Sequence, residues 1–149
     1  MDSLFFTEEH KMIQRMVSEF AKDEIIPVAR ELDKTGEFPK NIVKKMGSLG
    51  LMGINVPTEY GGSGLDMVSY AAAIIELAKA DASIAITMAA HTSLGTLPIL
   101  LYGSSSLKKK YLPKIASGET LSAFGLTEPQ AGSDAGSTKT TAIKHGDDY

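Results

Sequence analysis

Hydrophobic residues recur at helical spacing along most of the first 118 positions. Thr7 is a favourable N-cap, and the two glutamates behind it fall at the positive end of a helix dipole. The apolar positions that follow lie on one helix face: Met12, Ile13, Met16, Val17, Phe20 and Ala21. Pro27 removes a backbone donor and predicts a kink near Ile26, after which the helix continues and ends before Gly36.

Four further helices are predicted before residue 118. They cover residues 39–48, 66–79, 83–101 and 104–117. Pro39 suits the first position of its helix, Asp66 is a cap, and either Asp81 or Ser83 caps the third of the four. Between them, residues 54–57 are predicted to be extended and the glycine-rich residues 60–64 to form a loop.

The helix over residues 83–101 is nearly all apolar. A helix without a polar face belongs in the interior of a bundle. Because His91, Gly95 and Pro98 interrupt it, we predict a buried helix rather than a membrane span. In the following helix the lysines at 108–110 should face outward, and three apolar residues should face inward: Leu107, Tyr111 and Leu112.

The pattern changes at Gly118. Residues 121–127 and 138–143 are predicted strands, and residues 145–148 carry a turn signal. A strand pair that stops at its turn leaves unpaired edges and no sheet to bury them, which suggests truncation. The expected organisation is mainly α: a helical domain over residues 1–118, then the incomplete start of a β-domain over residues 119–149.

Composition excludes several kinds of function. The chain has 149 residues, 43% of them hydrophobic, and a net charge of −3, so it lacks the basic surface of a nucleic-acid-binding protein. Without cysteine it has no disulfide, thiolate metal site or thiol nucleophile. The N-terminal residues 1–11 lack the features of a signal or transit peptide, which favours a cytoplasmic protein.

Generic searches for chemistry produce weak candidates. The histidines His10, His91 and His145 are far apart, so we expect no metal site, and His91 is best interpreted as a satisfied core histidine. Residues 61–64 lack the spacing and flanking elements of a dinucleotide fingerprint, and residues 132–140 lack Walker spacing. Glu128 is a weak candidate for a base because no partner is in view, and Asp134 is expected to make a turn or cap hydrogen bond.

One segment resembles a known family closely. Residues 124–134, FGLTEPQAGSD, are similar to the flavin-binding signature of acyl-CoA dehydrogenases. Residues 50–62, GLMGINVPTEYGG, resemble an early loop of that family, and residues 111–119, YLPKIASGE, resemble the approach to its β-domain. The resemblance covers essentially the whole chain.

The resemblance implies an N-terminal helical domain joined to the first strands of a middle β-barrel domain that contacts FAD. Phe124, Leu126 and Thr127 would contact the isoalloxazine. Ser133 would belong to the same cofactor site and would also meet the acyl-CoA ligand. The helical domain would supply part of the acyl pocket wall, around His91. The family reaction is α,β-dehydrogenation of an acyl-CoA thioester, with electrons passed to an electron-transferring flavoprotein by an enzyme that is usually a homotetramer.

The family's catalytic glutamate lies in a C-terminal helical domain that residues 1–149 do not contain. Glu128 belongs to the signature and is not that base, so the chain alone is expected to be inactive. Three possibilities stay open from the sequence. The first is a piece of an acyl-CoA dehydrogenase, and the second is an acyl-CoA oxidase of the same fold. The third is a non-catalytic helical module that needs a separate C-terminal part.

Overall fold

The first helix begins where its capping residues predict. The computed structural model describes residues 6–149, and the N-terminal residues 1–5 lie outside the described residues. Thr7 caps helix α1, Glu8–Phe20, and accepts the backbone N–H of His10 on its side chain at 3.3 Å. The backbone N–H of Thr7 donates to Nδ1 of His10 at 3.1 Å, so a histidine completes the capping box.

The same histidine joins two helices. Nε2 of His10 lies 2.9 Å from Oδ2 of Asp66, the N-cap of helix α4, Met67–Ala80. The backbone N–H of Ser69 and the His10 ring lower the pKa of Asp66 to about 2. Because Nδ1 of His10 accepts a hydrogen bond, Nε2 carries the proton that Asp66 receives. One polar contact therefore fixes the start of α1 against the start of α4.

Pro27 disturbs the helix at the predicted place. A π-helical turn, Ala21–Ile25, immediately precedes helix α2, Ile26–Thr35, and Pro27 lies in the first turn of α2. The proline has no N–H to donate, and the wider turn accommodates that missing bond. Gly36 then ends α2 with a positive φ of 68°, as predicted.

The loops after helix α3, Lys40–Ser48, correct one prediction. Residues 54–56 form a turn and only Pro57 is extended: Ile54 has helical angles, φ −54° and ψ −43°, and Val56 donates to the Gly53 carbonyl. Both side chains are fully buried, and Leu65 returns to donate to the Ile54 carbonyl at 2.8 Å. These residues follow a turn because their side chains must reach the core while the glycine loop supplies the backbone partners.

A long irregular helix follows Asp81. Asp81 accepts the Ile84 N–H at 2.8 Å, so Asp81 and not Ser83 is the cap. Helix α5, Ala82–Ala89, continues through a π-helical segment, Ala90–Thr96, into helix α6, Leu97–Tyr102. Helix α7, Ser105–Ala116, begins at the Ser104 N-cap.

The main core lies where α1, α3, α4 and α5 meet. Helix α1 packs along α4, and α4 packs along α5. The buried residues of this core are Val17, Ala21, Ile25, Ile42, Val43, Met46, Leu51, Met52, Ile54, Ala73, Leu77, Ile84, Ala85 and Met88. A smaller cluster joins Val56 to Leu112 and Ala116 of α7. Burial of these apolar surfaces is the main force that holds the bundle together.

The helix over Ala82–Tyr102 and helix α7 are less buried than their sequences predict. On the helix over Ala82–Tyr102, Ile86 and Leu94 expose 64% and 49% of their surfaces. On α7 Leu112 faces inward as predicted, but Leu107 and Tyr111 are exposed. The prediction of interior positions was therefore wrong for one face of each helix, because periodicity shows that a face is apolar but not what covers it.

Length and composition alone would allow the helix Ala82–Tyr102 to cross a membrane. In the described part of the chain it is the one helix that is long and apolar enough, and 39% of its most apolar stretch of 18 residues is buried. Core helices of soluble proteins meet the same test. His91, Thr92 and Thr96 are buried in its middle, and His91 and Thr96 are hydrogen-bonded to the rest of the protein. These contacts favour a core helix.

The strands predicted after Gly118 are not formed. Within residues 6–149 the structure contains no strand, only two isolated antiparallel bridges, Glu128 with Ala131 and His145 with Asp148. Residues 121–127 and 138–143 are instead irregular and largely exposed. A β-prone sequence forms a strand only beside a hydrogen-bonding partner, and none of the described segments provides one. The division between domains at residue 118 stays a prediction.

Candidate functional site

The segment that contains the signature is tied to the helical bundle by Ser122. The backbone N–H of Ser122 donates to Nδ1 of His91 at 3.2 Å, and its hydroxyl donates to the His91 carbonyl at 3.0 Å. The hydroxyl of Thr96 lies 3.1 Å from the hydroxyl of Ser122. Gly95 allows this approach, since a Cβ there would come within 2.4 Å of the Ser122 backbone. The π-helical segment therefore binds the chain at Ser122, two residues before Phe124.

His91 is the satisfied core histidine that the sequence favours. It is 1% exposed, and Nε2 lies 3.1 Å from the carbonyl oxygen of Met52. Because Nδ1 accepts the Ser122 N–H, the ring is neutral with its proton on Nε2. Burial lowers the pKa of His91, against a smaller opposing effect of backbone groups of Ile115 and Met52.

After Ser122 the chain presents apolar side chains to solvent. Phe124 and Leu126 expose 53% and 45% of their surfaces, and Thr127 is also exposed. A Cβ on Gly125 would meet nothing within 4 Å, so the space between the two apolar residues is open. Within the described residues the backbone N–H of Thr127 has no hydrogen-bond partner. This combination fits the face of a flat aromatic group with polar edges.

Glu128 closes the loop that follows. Its carboxylate accepts the backbone N–H groups of Lys139 at 2.8 Å and Thr140 at 3.1 Å, and Gln130 donates to it as well. The hydrogen bonds, first that of Lys139 and then those of Thr140, lower the pKa of Glu128 to about 2. A carboxylate so weakly basic is a poor proton acceptor, which agrees with the prediction that Glu128 is not the catalytic base.

Ser133 and Asp134 lie inside this closed loop. Asp134 precedes the short helix Ala135–Ser137, and its carbonyl accepts the Ser137 N–H at 3.1 Å. Its carboxylate accepts the Ser137 hydroxyl, so the predicted turn role of Asp134 is confirmed. Ser133 is exposed, and within residues 6–149 no hydrogen bond joins it to Phe124, Leu126 or Thr127. The assignment of all four site residues stays a prediction.

A row of apolar side chains lies on the helix to which Ser122 is hydrogen-bonded. Ile86, Ala90 and Leu94 follow each other at four-residue spacing, and Ile86 and Leu94 are strongly exposed. Leu94 is next to Gly95, the residue against which Ser122 lies. The signature segment therefore follows a residue, Ser122, that contacts the same helix one position from Leu94.

A family comparison decides what this arrangement represents. The profile described as acyl-CoA dehydrogenase, N-terminal domain, matches residues 7–119. The chain belongs to the acyl-CoA dehydrogenase family. The resemblance stated from the sequence is thereby confirmed, and so is a mainly helical fold for the matched region.

Individual members of the acyl-CoA dehydrogenase family agree. An acyl-CoA dehydrogenase of Bacillus subtilis is 52% identical over 96% of this chain, which spans 38% of that protein. An acyl-CoA dehydrogenase from Bacillus anthracis, solved in complex with FAD, superposes with a TM-score of 0.85 at 46% identity, over 93% of this chain and 24% of that one. The chain thus spans well under half of these relatives.

A second similar structure concerns electron transfer. It is described as the electron transferring flavoprotein of Acidaminococcus fermentans, in work towards a mechanism of flavin-based electron bifurcation. One of its chains superposes with a TM-score of 0.92 at 44% identity, over 97% of this chain and 38% of that one.

Two residues of this region were not identified as important from the sequence. Ser122 is a single serine with no motif around it, and its partner His91 is 31 positions away. Glu128 was identified as a weak candidate for a base and as part of the acyl-CoA dehydrogenase signature, but not as the residue whose carboxylate organises the loop up to Thr140. The one available signal was Gly95, since a glycine inside an apolar helix often marks a close backbone approach.

Proposed function

We propose that this chain forms the helical and flavin-contacting part of an FAD-dependent enzyme that dehydrogenates acyl-CoA thioesters between Cα and Cβ. One observation supports this above the others. The exposed Phe124, Leu126 and Thr127 begin two residues after Ser122, which is bound to the helix that carries the apolar row. A flavin and an acyl chain need such adjacent surfaces, one for a flat ring and one for an aliphatic tail.

The cofactor is FAD, which supplies the acceptor for the hydride that leaves Cβ. Phe124 and Leu126 offer apolar surface to its ring system. The unpaired N–H of Thr127 and its hydroxyl are donors that can stabilise negative charge at the polar edge of the ring. The protein's part at this site is to orient the ring and to provide those donors.

The substrate is an acyl-CoA thioester. Ile86, Ala90 and Leu94 form one wall of the acyl pocket, since they are apolar and in line, and Ile86 and Leu94 are exposed. Ser133 is assigned to the thioester ligand by the family resemblance. Glu128 is not the base that removes the α-proton, because its carboxylate is engaged by two backbone N–H groups and has a pKa of about 2. The family resemblance assigns that proton transfer to a glutamate of a C-terminal helical domain.

The proposal extends to partners and setting. An electron-transferring flavoprotein is the electron acceptor, the complete enzyme is a homotetramer, and it works in the cytoplasm. The structural neighbour from Acidaminococcus fermentans supports the first of these. An acyl-CoA oxidase with the same fold would use molecular oxygen in place of the flavoprotein.

The decisive experiment uses the complete protein that contains this chain. We expect it to purify with FAD, and an acyl-CoA substrate should bleach the flavin absorbance under anaerobic conditions. Dye-linked turnover without hydrogen peroxide identifies the dehydrogenase, whereas oxygen consumption with peroxide identifies the oxidase. A complete protein that binds no flavin would overturn the proposal and would favour the non-catalytic module. The isolated 149-residue chain should show no turnover.

A further inference from the structure

Polar groups of four residues meet where the signature segment leaves the bundle. His91 presents Nδ1 to the Ser122 N–H and Nε2 to the Met52 carbonyl, at 3.2 Å and 3.1 Å. Thr96 donates its hydroxyl to the His91 carbonyl at 2.7 Å. His91 and Thr96 are each 1% exposed, so the bonds of His91 to Met52 and Thr96 are buried, while Ser122 is half-buried.

The π-helical segment makes this geometry possible. In a regular α-helix the carbonyl of residue i is taken by the N–H of residue i+4. Within Ala90–Thr96 the backbone ladder runs from residue i to residue i+5, and the His91 carbonyl additionally receives two hydroxyls, one from Thr96 and one from Ser122. The local irregularity of the helix thus provides an acceptor for a chain segment outside it, as π-bulges at functional sites often do.

Only one state of the imidazole satisfies both partners. The Ser122 N–H requires a lone pair on Nδ1, and the Met52 carbonyl requires a proton on Nε2. Protonation at Nδ1 would place two donors against each other. The described groups that shift the titration of His91 are its buried surroundings and the backbone of Ile115 and Met52, none of which is charged. No opposite charge in the described chain would therefore compensate a protonated ring.

We propose that His91 is the positioning residue that holds the start of the signature segment against the helical bundle, through the N–H of Ser122. This contact would fix the position of the surface formed by residues 124–127 relative to the apolar row of Ile86, Ala90 and Leu94. Its consequence for the flavin rests on the proposed function. The contact itself is a property of this chain and can be measured on it.

Amide hydrogen exchange of the 149-residue chain, resolved by residue, tests the contact. His91→Leu removes both hydrogen bonds of the ring, and we expect the protection factor of the Ser122 amide to fall about tenfold. The amides of α4 should keep theirs. Thr92→Val is the matched control in the same π-helical segment, because the buried Thr92 hydroxyl has no hydrogen-bond partner among the described residues. It should leave the Ser122 amide unchanged.

A second variant separates positioning from packing. His91→Gln keeps a donor and an acceptor but does not titrate. In the unsubstituted chain the Ser122 protection factor should fall as the pH drops below about 6.5, because the released histidine takes up a proton more readily than the buried one. In His91→Gln this dependence should vanish. That comparison applies even if His91→Leu does not fold.

Two results would overturn the assignment: unchanged Ser122 protection in folded His91→Leu, or the same acid dependence in His91→Gln as in the unsubstituted chain. Flavin affinity is measured separately, on the complete protein. There His91→Leu should weaken FAD binding and His91→Gln should restore it. If His91→Leu lowers the Ser122 protection but the unsubstituted complete protein binds no flavin, the proposed function is refuted and the positioning role stands.

Discussion

The carboxylate of Glu128 accepts the backbone N–H of Lys139 at 2.8 Å, across eleven positions of the chain. This bond and the neighbouring one to Thr140 close the loop that holds Ser133 and Asp134. Glu128 is therefore the organising residue of the segment. The isolated bridge between Glu128 and Ala131 adds two backbone hydrogen bonds at the start of the same loop.

Glu128→Ala should open this loop without unfolding the bundle. The Lys139 and Thr140 amides lose their acceptor, so their exchange should accelerate and trypsin should cleave after Lys139 more rapidly. The midpoint of thermal unfolding should hardly move, because every residue between Glu128 and Lys139 except the buried Ala131 is exposed, and surface changes stay within about 0.5 kcal/mol. Asp147→Ala, at an exposed acid of the same tail, serves as the control. Equal cleavage rates in the two variants would contradict the closing role.

The loop should also respond to acid in a defined range. Because hydrogen bonds lower the folded-state pKa of Glu128 to about 2 from 4.5, its stabilising effect is fully present above about pH 4.5. It should be lost progressively as the pH falls toward 2, since the unfolded state binds a proton first. The amide chemical shifts of Lys139 and Thr140 should titrate with a midpoint near that of the lowered pKa. A midpoint close to 4.5 would show that the carboxylate is free in solution.

Gly95→Ala should displace the segment that Ser122 anchors. The added methyl group would lie 2.4 Å from the Ser122 carbonyl carbon, and the overpacking should cost about 1–3 kcal/mol. Gly125→Ala is the control, because its methyl group would meet nothing within 4 Å. Chemical denaturation of both variants measures the difference. Similar stabilities would show that the segment around Ser122 can move away from residue 95 at little cost in free energy.

Leu77→Ala should destabilise the bundle strongly. Leu77 is fully buried in α4, within the core shared by α1 and α5, and its truncation leaves a cavity that costs about 2–5 kcal/mol. Ile75, on the same helix, is 52% exposed, so Ile75→Ala should cost far less. Urea unfolding followed by circular dichroism gives both values. A cost at Ile75 equal to that at Leu77 would mean that another part of the protein covers the exposed face.

Thr127→Ala tests the flavin contact in the complete protein. Loss of the hydroxyl should weaken FAD binding or lower the flavin reduction potential, because a donor to the reduced ring is removed. Thr141→Ala, at an exposed threonine of the same tail, is the matched control. Flavin fluorescence and a redox titration supply the two measurements. If spectrum, affinity and potential are all unchanged, Thr127 does not contact the flavin.

Local chemistry explains why several elements were predictable. Thr7 and Asp66 cap helices at the expected positions, because each side chain accepts a backbone N–H only three residues away. Pro27 disturbs its helix and Gly36 ends it for equally local reasons. The family signature at residues 124–134 is likewise a contiguous string that needs no structure to be recognised.

Contacts between distant parts of the chain decided the rest. Leu112 is buried while Leu107 and Tyr111 on the same helix are exposed, because the neighbouring surfaces and not the sequence period determine which face is covered. The residues 121–127 are β-prone, yet they form no strand in the described chain because a strand requires a partner ladder.

By itself, the sequence determined the helix limits set by caps and prolines, the mainly helical fold class and the membership of a flavoprotein family. Only the tertiary structure showed that His91 receives Ser122, 31 positions away, and that Glu128 closes its loop on Lys139. The physical reason is range. Caps, turns and motifs act over a few residues, whereas the burial of a ring and the return of a chain to a carboxylate depend on how the whole bundle packs.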